Sequence, residues 1–152
     1  MNHKELILKY VNLSLSTISF LNPIFLLSLR LWLAKVFFMS GLTKIQSWET
    51  TLMLFQYEYS VPFIPYQIAA WSATIAELLI PIFLALGLLT RLNTIPLFIL
   101  NIVAAISYPD ISPAGEKDHI IWGLIMLMLF FSGPGKIAID KWVLKNHLST
   151  KL

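Results

Sequence analysis

Four long apolar stretches dominate the chain, and short segments that contain proline, glycine and charged residues separate them. Their lengths suit membrane-spanning helices, because a hydrocarbon core about 30 Å thick takes about 20 residues of α-helix. The predicted spans cover residues 23–45, 67–89, 92–108 and 118–133. Pro23 is expected to begin the first span, since proline suits the first turn of a helix. The fourth span is short and needs an extra turn or locally thinner lipid. The pattern predicts an all-α fold, an integral membrane four-helix bundle.

Both flanks of this bundle have the pattern of short interfacial helices. Ahead of the first span, apolar residues recur at helical spacing beside two lysines, which favours a helix lying on the inner leaflet. These residues are Leu6, Tyr10, Leu13, Thr17 and Phe20, beside Lys4 and Lys9. The stretch contains Glu5 and has no small-x-small cleavage site ahead of the first span, so we do not expect it to be a signal peptide. After the fourth span, a similar anchor and a solvated tail are both open. The residues concerned are Ile137, Trp142 and Val143 with Lys136, Lys141 and Lys145.

Composition and charge agree with a membrane protein. Of 152 residues, 57% are hydrophobic and 12% are charged, which is too little polar surface for a water-soluble domain. We expect one domain over residues 1–152. Lysine and arginine are concentrated in the flanks and the middle loop, so both termini should be cytoplasmic. These residues are Lys4, Lys9, Arg91, Lys136, Lys141, Lys145 and Lys151. The net charge of +3 reflects this bias and does not indicate nucleic-acid binding.

The sequence excludes several kinds of chemistry. The chain has no cysteine, which removes thiol and iron–sulfur mechanisms. Of the three histidines only His119 approaches a span, and His3 and His147 lie in the flanks, so two buried imidazoles cannot hold a haem. No metal-binding motif or phosphate-binding loop is present. We therefore expect no metal and no covalently bound cofactor, and any electrons must belong to a bound quinone, a substrate or a partner subunit.

Glu77 is the best functional lead, because it lies in the middle of the second span. A charge at that depth costs at least about 2.5 kcal/mol on insertion scales, so such residues usually face the bundle interior and pair with another group. A structural ion pair between helices is one interpretation. The other is a group that orients a ligand or exchanges a proton.

Two lysines of the first span are candidate partners for Glu77. Counted at 1.5 Å per residue, Lys35 and Asn101 lie at about the depth of Glu77, so Lys35 is the natural counter-ion by depth. Helical direction favours a different answer, because Lys35 and Lys44 point to opposite faces. We expect the stripe of Arg30, Gly41 and Lys44 to face inward, since Gly41 allows a neighbouring backbone to approach closely.

Other polar groups are predicted to line a pocket on the non-cytoplasmic side of Glu77. Lys44 ends the first span, and His119 and Trp122 open the fourth, on the same side of the membrane. Pro81 should kink the second span and free a carbonyl near Glu77, which opens space between helices. His119 and Trp122 are also typical of the membrane interface, where they would have no ligand to contact.

These marks, taken in order, resemble the DoxX family of membrane proteins. The match runs from Arg30 to Asp140. Its marks are Arg30, Gly41 with Lys44, Pro62, Glu77, Gly87-Leu-x-Thr-Arg91 and Gly133-Pro134-Gly135 followed by Asp140. The usual serine before this aspartate is replaced by Ala138, which removes any hydrogen bond from that hydroxyl. The resemblance implies a four-helix bundle in the bacterial inner (plasma) membrane. It also implies a loose association with oxidoreductase complexes, since the family is named after a subunit of a thiosulfate:quinone oxidoreductase.

Two functional hypotheses follow. In the first, the protein is the membrane subunit of an oxidoreductase system and holds a quinone-like or small sulfur-containing ligand between its helices. Lys44 and Arg30 would attract an anionic oxygen, Glu77 would exchange a proton, and Asn101 and His119 would hold the ligand. In the second, it is a non-catalytic scaffold or assembly factor. Oxidoreductase partner subunits or a homodimer are plausible in either case. A channel is less favoured, because four short helices leave little room for a pore.

Overall fold

The computed structural model describes residues 2–143, which form five helices joined by short connections. The helices are α1 (His3–Gln46), α2 (Trp48–Tyr57), α3 (Tyr66–Leu86), α4 (Thr90–Ser107) and α5 (Pro113–Ser132). Residues 139–143 are also helical, and the described part of the chain contains no strand. The all-α prediction is confirmed. Lys145, His147 and Lys151, which belong to the predicted C-terminal flank, lie outside the described residues.

Three of the helices are long and apolar enough to cross a membrane, namely α1, α3 and α4. The predicted fourth span corresponds to α5, which has 20 residues but carries Glu116, Lys117 and Asp118 in its first two turns. These charges leave a shorter apolar stretch over residues 119–131. The prediction of four spans is therefore confirmed for three of them, and α5 completes the bundle by packing along α4.

The prediction that Pro23 begins the first helix is wrong. Pro23 lies inside α1, which starts twenty residues earlier at His3 and continues without interruption to Gln46. At the start of α1, the backbone N–H of Asn2 donates to the Glu5 carboxylate at 3.1 Å, as in a capping box. The flank that was predicted as a separate interfacial helix is thus continuous with the first span.

The short helix α2 was not predicted, although apolar residues recur along it at helical spacing. Thr51 and Phe55 face the bundle and are buried. The Thr51 hydroxyl donates to the carbonyl of Lys44 at 2.9 Å, which ties α2 to the end of α1. Phe55 packs with Ala69, Ala70 and Ala73 of α3. This helix therefore covers one end of the bundle.

Close packing of α1 on α3 and of α4 on α5 makes the core. A cluster of buried side chains from all four of these helices fills its centre, comprising Leu26, Leu33, Phe37, Leu84, Leu97, Met126 and Leu129. A Cβ built on Gly41 would lie 2.9 Å from the side chain of Leu78 and 3.1 Å from Cβ of Glu77. Only a glycine lets α1 and α3 approach this closely, which confirms the predicted role of Gly41.

The turns between helices follow from local sequence signals. Gly87 ends α3 in the left-handed conformation, with φ of 69°, and the N–H of Leu88 bonds back to Phe83. The start of α5 was predicted near Asp118 but occurs at Pro113. The reason is that Ser112 accepts a hydrogen bond from the N–H of Gly115 at 3.1 Å and Pro113 suits the first turn.

Candidate functional site

A cavity of about 470 Å³ lies at the end of the bundle where α1 ends and α3 begins. Its volume is in the range of small-molecule sites, about 300–1,000 Å³. Most of its wall is apolar. The apolar lining includes Val36, Phe37, Phe55, Val61, Ile64, Leu100, Val103, Ala104 and Trp122. Charged and polar side chains are placed among these, including both Lys44 and Glu77.

The charged centre of this cavity is an ion pair between α1 and α3. Lys44 Nζ lies 2.6 Å from Glu77 Oε2, and it also donates to the Ser40 hydroxyl at 2.9 Å. The Lys44 side chain is 19% exposed and that of Glu77 is 8% exposed. The predicted inward stripe of Arg30, Gly41 and Lys44 is confirmed. The choice of Lys35 by depth is wrong, because Lys35 points outward and is exposed.

Local structure explains why Glu77 can meet a charge from α1. The glycine at position 41 brings the two backbones together one turn before Lys44, which places the ammonium group beside Glu77. Pro81 lies inside α3 and has no N–H, so the carbonyl of Glu77 lacks its usual intrahelical donor. Glu77 therefore combines two features: its side chain forms an ion pair, and its backbone carbonyl lacks the usual helical hydrogen bond.

Further polar side chains on the wall of the cavity were not predicted from the sequence. The Ser107 hydroxyl is buried and has no hydrogen-bond partner among the described residues. Tyr59 reaches the cavity from the α2–α3 connection and packs edge to face on Tyr108, with ring centroids 5.5 Å apart. Burial first, and then the charge of Glu58, raises the pKa of Tyr59, so its phenol stays protonated and can donate. Ser107 lies near the end of the third predicted span and Tyr59 lies in the loop after the first, where no motif in the sequence marks them.

His119 and Asn101 form a reciprocal pair between α4 and α5. The amide nitrogen of Asn101 donates to the carbonyl of His119 at 2.8 Å, and His119 Nδ1 lies 2.8 Å from Asn101 Oδ1. Asn101 is buried and does not line the cavity, whereas the His119 ring does. The ring also lies edge to face on Trp122. Asn101 therefore orients His119, and His119 is the member of the pair that can meet a ligand.

Arg30 is placed at the opposite end of the bundle from the cavity. It lies fourteen residues before Lys44 on α1, which is about 21 Å along the helix. Its guanidinium is fully buried and donates to the carbonyls of Ala85 and Ile137. These contacts tie the end of α3 and the C-terminal segment to α1. The structure thus separates Arg30 from the other predicted ligand-binding residues, and we assign it no contact with a ligand.

Asp140 completes the contacts at the Arg30 end. Its carboxylate accepts hydrogen bonds from the N–H groups of Leu89, at 2.7 Å, and Thr90, at 3.1 Å, where α4 begins. Its own N–H donates to the carbonyl of Gly87 at 3.0 Å. Such a carboxylate satisfies free donors at a helix N-terminus and interacts favourably with the helix dipole.

Comparison with known proteins agrees with this arrangement. A family model described as DoxX matches residues 25–109, more than half of the chain. The chain belongs to the DoxX family. A protein of Haemophilus influenzae described as uncharacterized is 35% identical to this DoxX protein over an alignment of 131 residues. The match covers 80% of this chain and 85% of that protein. No solved structure matches the chain.

Most of the marks that suggested a DoxX membrane protein fall into two groups in space. Gly41, Lys44 and Glu77 meet at the cavity. Arg30, Gly87, Arg91 and Asp140 meet at the far end, where Arg91 donates to the carbonyl of Phe131 at 3.3 Å. Pro62 lies in the connection between α2 and α3 and belongs to neither set of contacts. Ala138, in place of the usual serine, packs against Gly87. One group therefore fastens the helix ends and the other group forms the candidate site.

Proposed function

We propose that this protein is a membrane subunit of an oxidoreductase system and binds a small quinone-like or sulfur-containing ligand in the cavity at Lys44 and Glu77. The observation that carries the proposal is an ion pair on the wall of a mostly apolar cavity of about 470 Å³. Apolar walls suit the body of such a ligand, and a few convergent polar groups fix its orientation. Redox chemistry itself comes from the family resemblance, which is an analogy from fold.

The residues would divide the work as follows. Lys44 has three donors and uses two on Ser40 and Glu77, so a third can reach an anionic or carbonyl oxygen of the ligand. Glu77 exchanges a proton with that oxygen. His119, oriented by Asn101, binds a second polar group of the ligand from α5.

We place this protein in a bacterial inner membrane with both termini cytoplasmic. Arg91, Lys136 and Lys141 belong to the segments at the Arg30 end of the bundle, near Asp140 and Gly133. Basic residues accumulate on the cytoplasmic side of membrane proteins, which supports this orientation. The cavity then lies in the outer half of the membrane, where a ligand can enter from lipid or from the outer aqueous side.

Binding of a short-chain benzoquinone tests this role. Trp122 lines the cavity, so its fluorescence should be quenched when the probe binds. We expect Glu77→Gln to weaken binding about tenfold or more, which corresponds to about 1.4 kcal/mol, and to remove its pH dependence. Trp122→Phe identifies the part of the signal that comes from the cavity. Unchanged affinity and pH dependence in Glu77→Gln would show that Glu77 has no part in binding.

A scaffold or assembly factor is the second candidate, and the closed geometry of the ion pair favours it. At 2.6 Å the two charges already satisfy each other and fix α1 against α3. A scaffold should co-purify with the same companion in wild type and Glu77→Gln. In this second candidate, the basic segment after Gly133-Pro134-Gly135 docks the partner at the inner face. Removal of residues 144–152 tests that role, because a cut after Gly135 would also remove Ile137 and Asp140, which hold the bundle together.

A further inference from the structure

The first twenty residues of α1 extend beyond the bundle and carry a large apolar surface. With 44 residues α1 is about 66 Å long, whereas residues 24–46 alone already span about 35 Å. Nearly every side chain from His3 to Asn22 is exposed. The exposed apolar side chains include Ile7, Leu8, Tyr10, Leu13, Ile18 and Phe20. A bilayer core of about 30 Å cannot contain the whole helix in one direction.

Five polar residues of this extension share one face. His3, Ser14 and Thr17 lie on the opposite side, where the Ser14 and Thr17 hydroxyls donate to the carbonyls of Val11 and Leu13 within the helix. Glu5, Lys9, Asn12, Ser16 and Ser19 follow one another at alternating spacings of four and three residues, which places them along a narrow stripe of the helix. The same spacing continues into the bundle. There the stripe becomes the buried face of α1, with Pro23, Leu26, Arg30, Phe37 and Gly41. The polar stripe is therefore the continuation of the face that looks toward the bundle.

Pro23 lies on this same face, which determines the direction of a bend. Its ring clashes with the carbonyl four residues earlier, that of Ser19, and pushes the preceding turn away. The helix therefore opens on the side of Pro23 and bends toward the opposite side. Since Pro23 is buried against the bundle, the extension swings away from the bundle. After that swing the polar stripe faces water and the apolar face points toward lipid.

We propose that in the membrane α1 bends outward at Pro23, so that residues 3–22 lie along the lipid surface with the Glu5–Ser19 stripe in water. The width of the apolar face favours lipid over a second copy of the chain. It covers roughly two thirds of the circumference, whereas a coiled-coil seam is a narrow stripe. Lys4 and Lys9 add attraction to anionic headgroups. The sequence predicts an interfacial position, and the burial of Pro23 supplies the hinge and its direction.

A spin-label scan of the full chain in vesicles of phosphatidylethanolamine and phosphatidylglycerol tests the position. The chain has no cysteine, so single cysteines can be introduced along residues 4–20 and labelled cleanly. We expect the ratio of oxygen to nickel-chelate accessibility to be several-fold higher at Leu8, Val11 and Ile18 than at Asn12 and Ser16. Uniform access to the nickel chelate, uniform access to oxygen, or spin–spin coupling between copies would each overturn the proposal.

The hinge is tested by the distance between labels at Glu5 and Thr43. A collinear helix places these positions about 57 Å apart, and a right-angle bend at Pro23 places them about 40 Å apart. We expect the shorter distance in the wild type and a longer one in Pro23→Ala. The long distance in the wild type, or no change in Pro23→Ala, would contradict a hinge at this residue. The accessibility scan decides the surface position even if Pro23→Ala does not fold.

Discussion

Lys44 on α1 and Glu77 on α3 form an ion pair of 2.6 Å on the wall of a cavity of about 470 Å³. The pair joins the two helices that pack most closely, and Gly41 makes this approach possible. A buried pair of this kind is costly to break, because the remaining partner keeps an uncompensated charge. The ion pair therefore holds α1 against α3 whether or not a ligand is bound.

The ion pair predicts non-additive stability. Glu77→Gln should lower the free energy of unfolding in detergent by on the order of 3 kcal/mol, because it leaves Lys44 unpaired. The double variant Lys44→Met, Glu77→Gln should recover most of this loss, since it removes both charges. Thermal or denaturant unfolding of the two singles and the double measures the coupling. Additive losses would show that the two side chains do not depend on each other.

Asp140 should stabilise the start of α4. Asp140→Asn keeps the shape but weakens both bonds to the N–H groups of Leu89 and Thr90, and we expect a loss of about 1–2 kcal/mol. Asp110→Asn is the matched control, because Asp110 is exposed. Equal melting temperatures for Asp140→Asn and the wild type would show that these hydrogen bonds of Asp140 do not stabilise the protein.

Gly87 should tolerate no side chain. Its φ is 69°, and a Cβ at this position would lie 2.0 Å from the Arg30 guanidinium and 2.6 Å from Cβ of Ala138. Gly87→Ala should therefore cost at least about 2 kcal/mol from backbone strain and crowding together. Gly123→Ala provides the comparison, since its nearest neighbour would be at 3.4 Å in an ordinary helix. Equal stability of the two variants would show that Arg30 and Ala138 do not pack closely against Gly87.

A serine at position 138 should increase the stability of the protein. Among residues 2–143, Arg30 Nε and the hydroxyl of Thr90 are buried without hydrogen-bond partners, and Ala138 packs beside Gly87. Ala138→Ser should supply an acceptor there and raise stability by about 1 kcal/mol. Ala105→Ser, away from Arg30, should give no gain. A lower melting temperature for Ala138→Ser would mean that the hydroxyl finds no partner.

Helical direction predicted the partner of Glu77, whereas depth alone did not. Lys35 has the appropriate depth, but it is on the opposite face from Lys44 and is exposed. Periodicity and one glycine were enough to choose Lys44, because these are local properties of a single helix. The same reasoning placed Arg30 inward but could not supply its partners. Those partners, Ala85 and Ile137, are brought beside it only by the folding of distant segments.

Helix boundaries were predicted from the sequence with uneven success. Pro23 suggested a helix start, since proline suits a first turn, but the same residue can lie inside a helix when the lost hydrogen bond is tolerated. Ser112 and Pro113 carried a correct start signal for α5 that the charges after them obscured. The α2 helix was missed because it is too short to cross a membrane, and its burial depends on contacts of Phe55 with α3.

The most direct measurement of the central claim is mass spectrometry of small molecules that remain bound after mild-detergent purification. Ala104 lines the cavity and Ala105 does not, so Ala104→Phe fills the cavity and Ala105→Phe is the matched control. We predict a quinone or a small sulfur compound in the wild type and in Ala105→Phe, and its loss from a folded Ala104→Phe. A wild-type protein that carries no such compound, or the same compound retained in Ala104→Phe, would contradict a ligand site at Lys44 and Glu77.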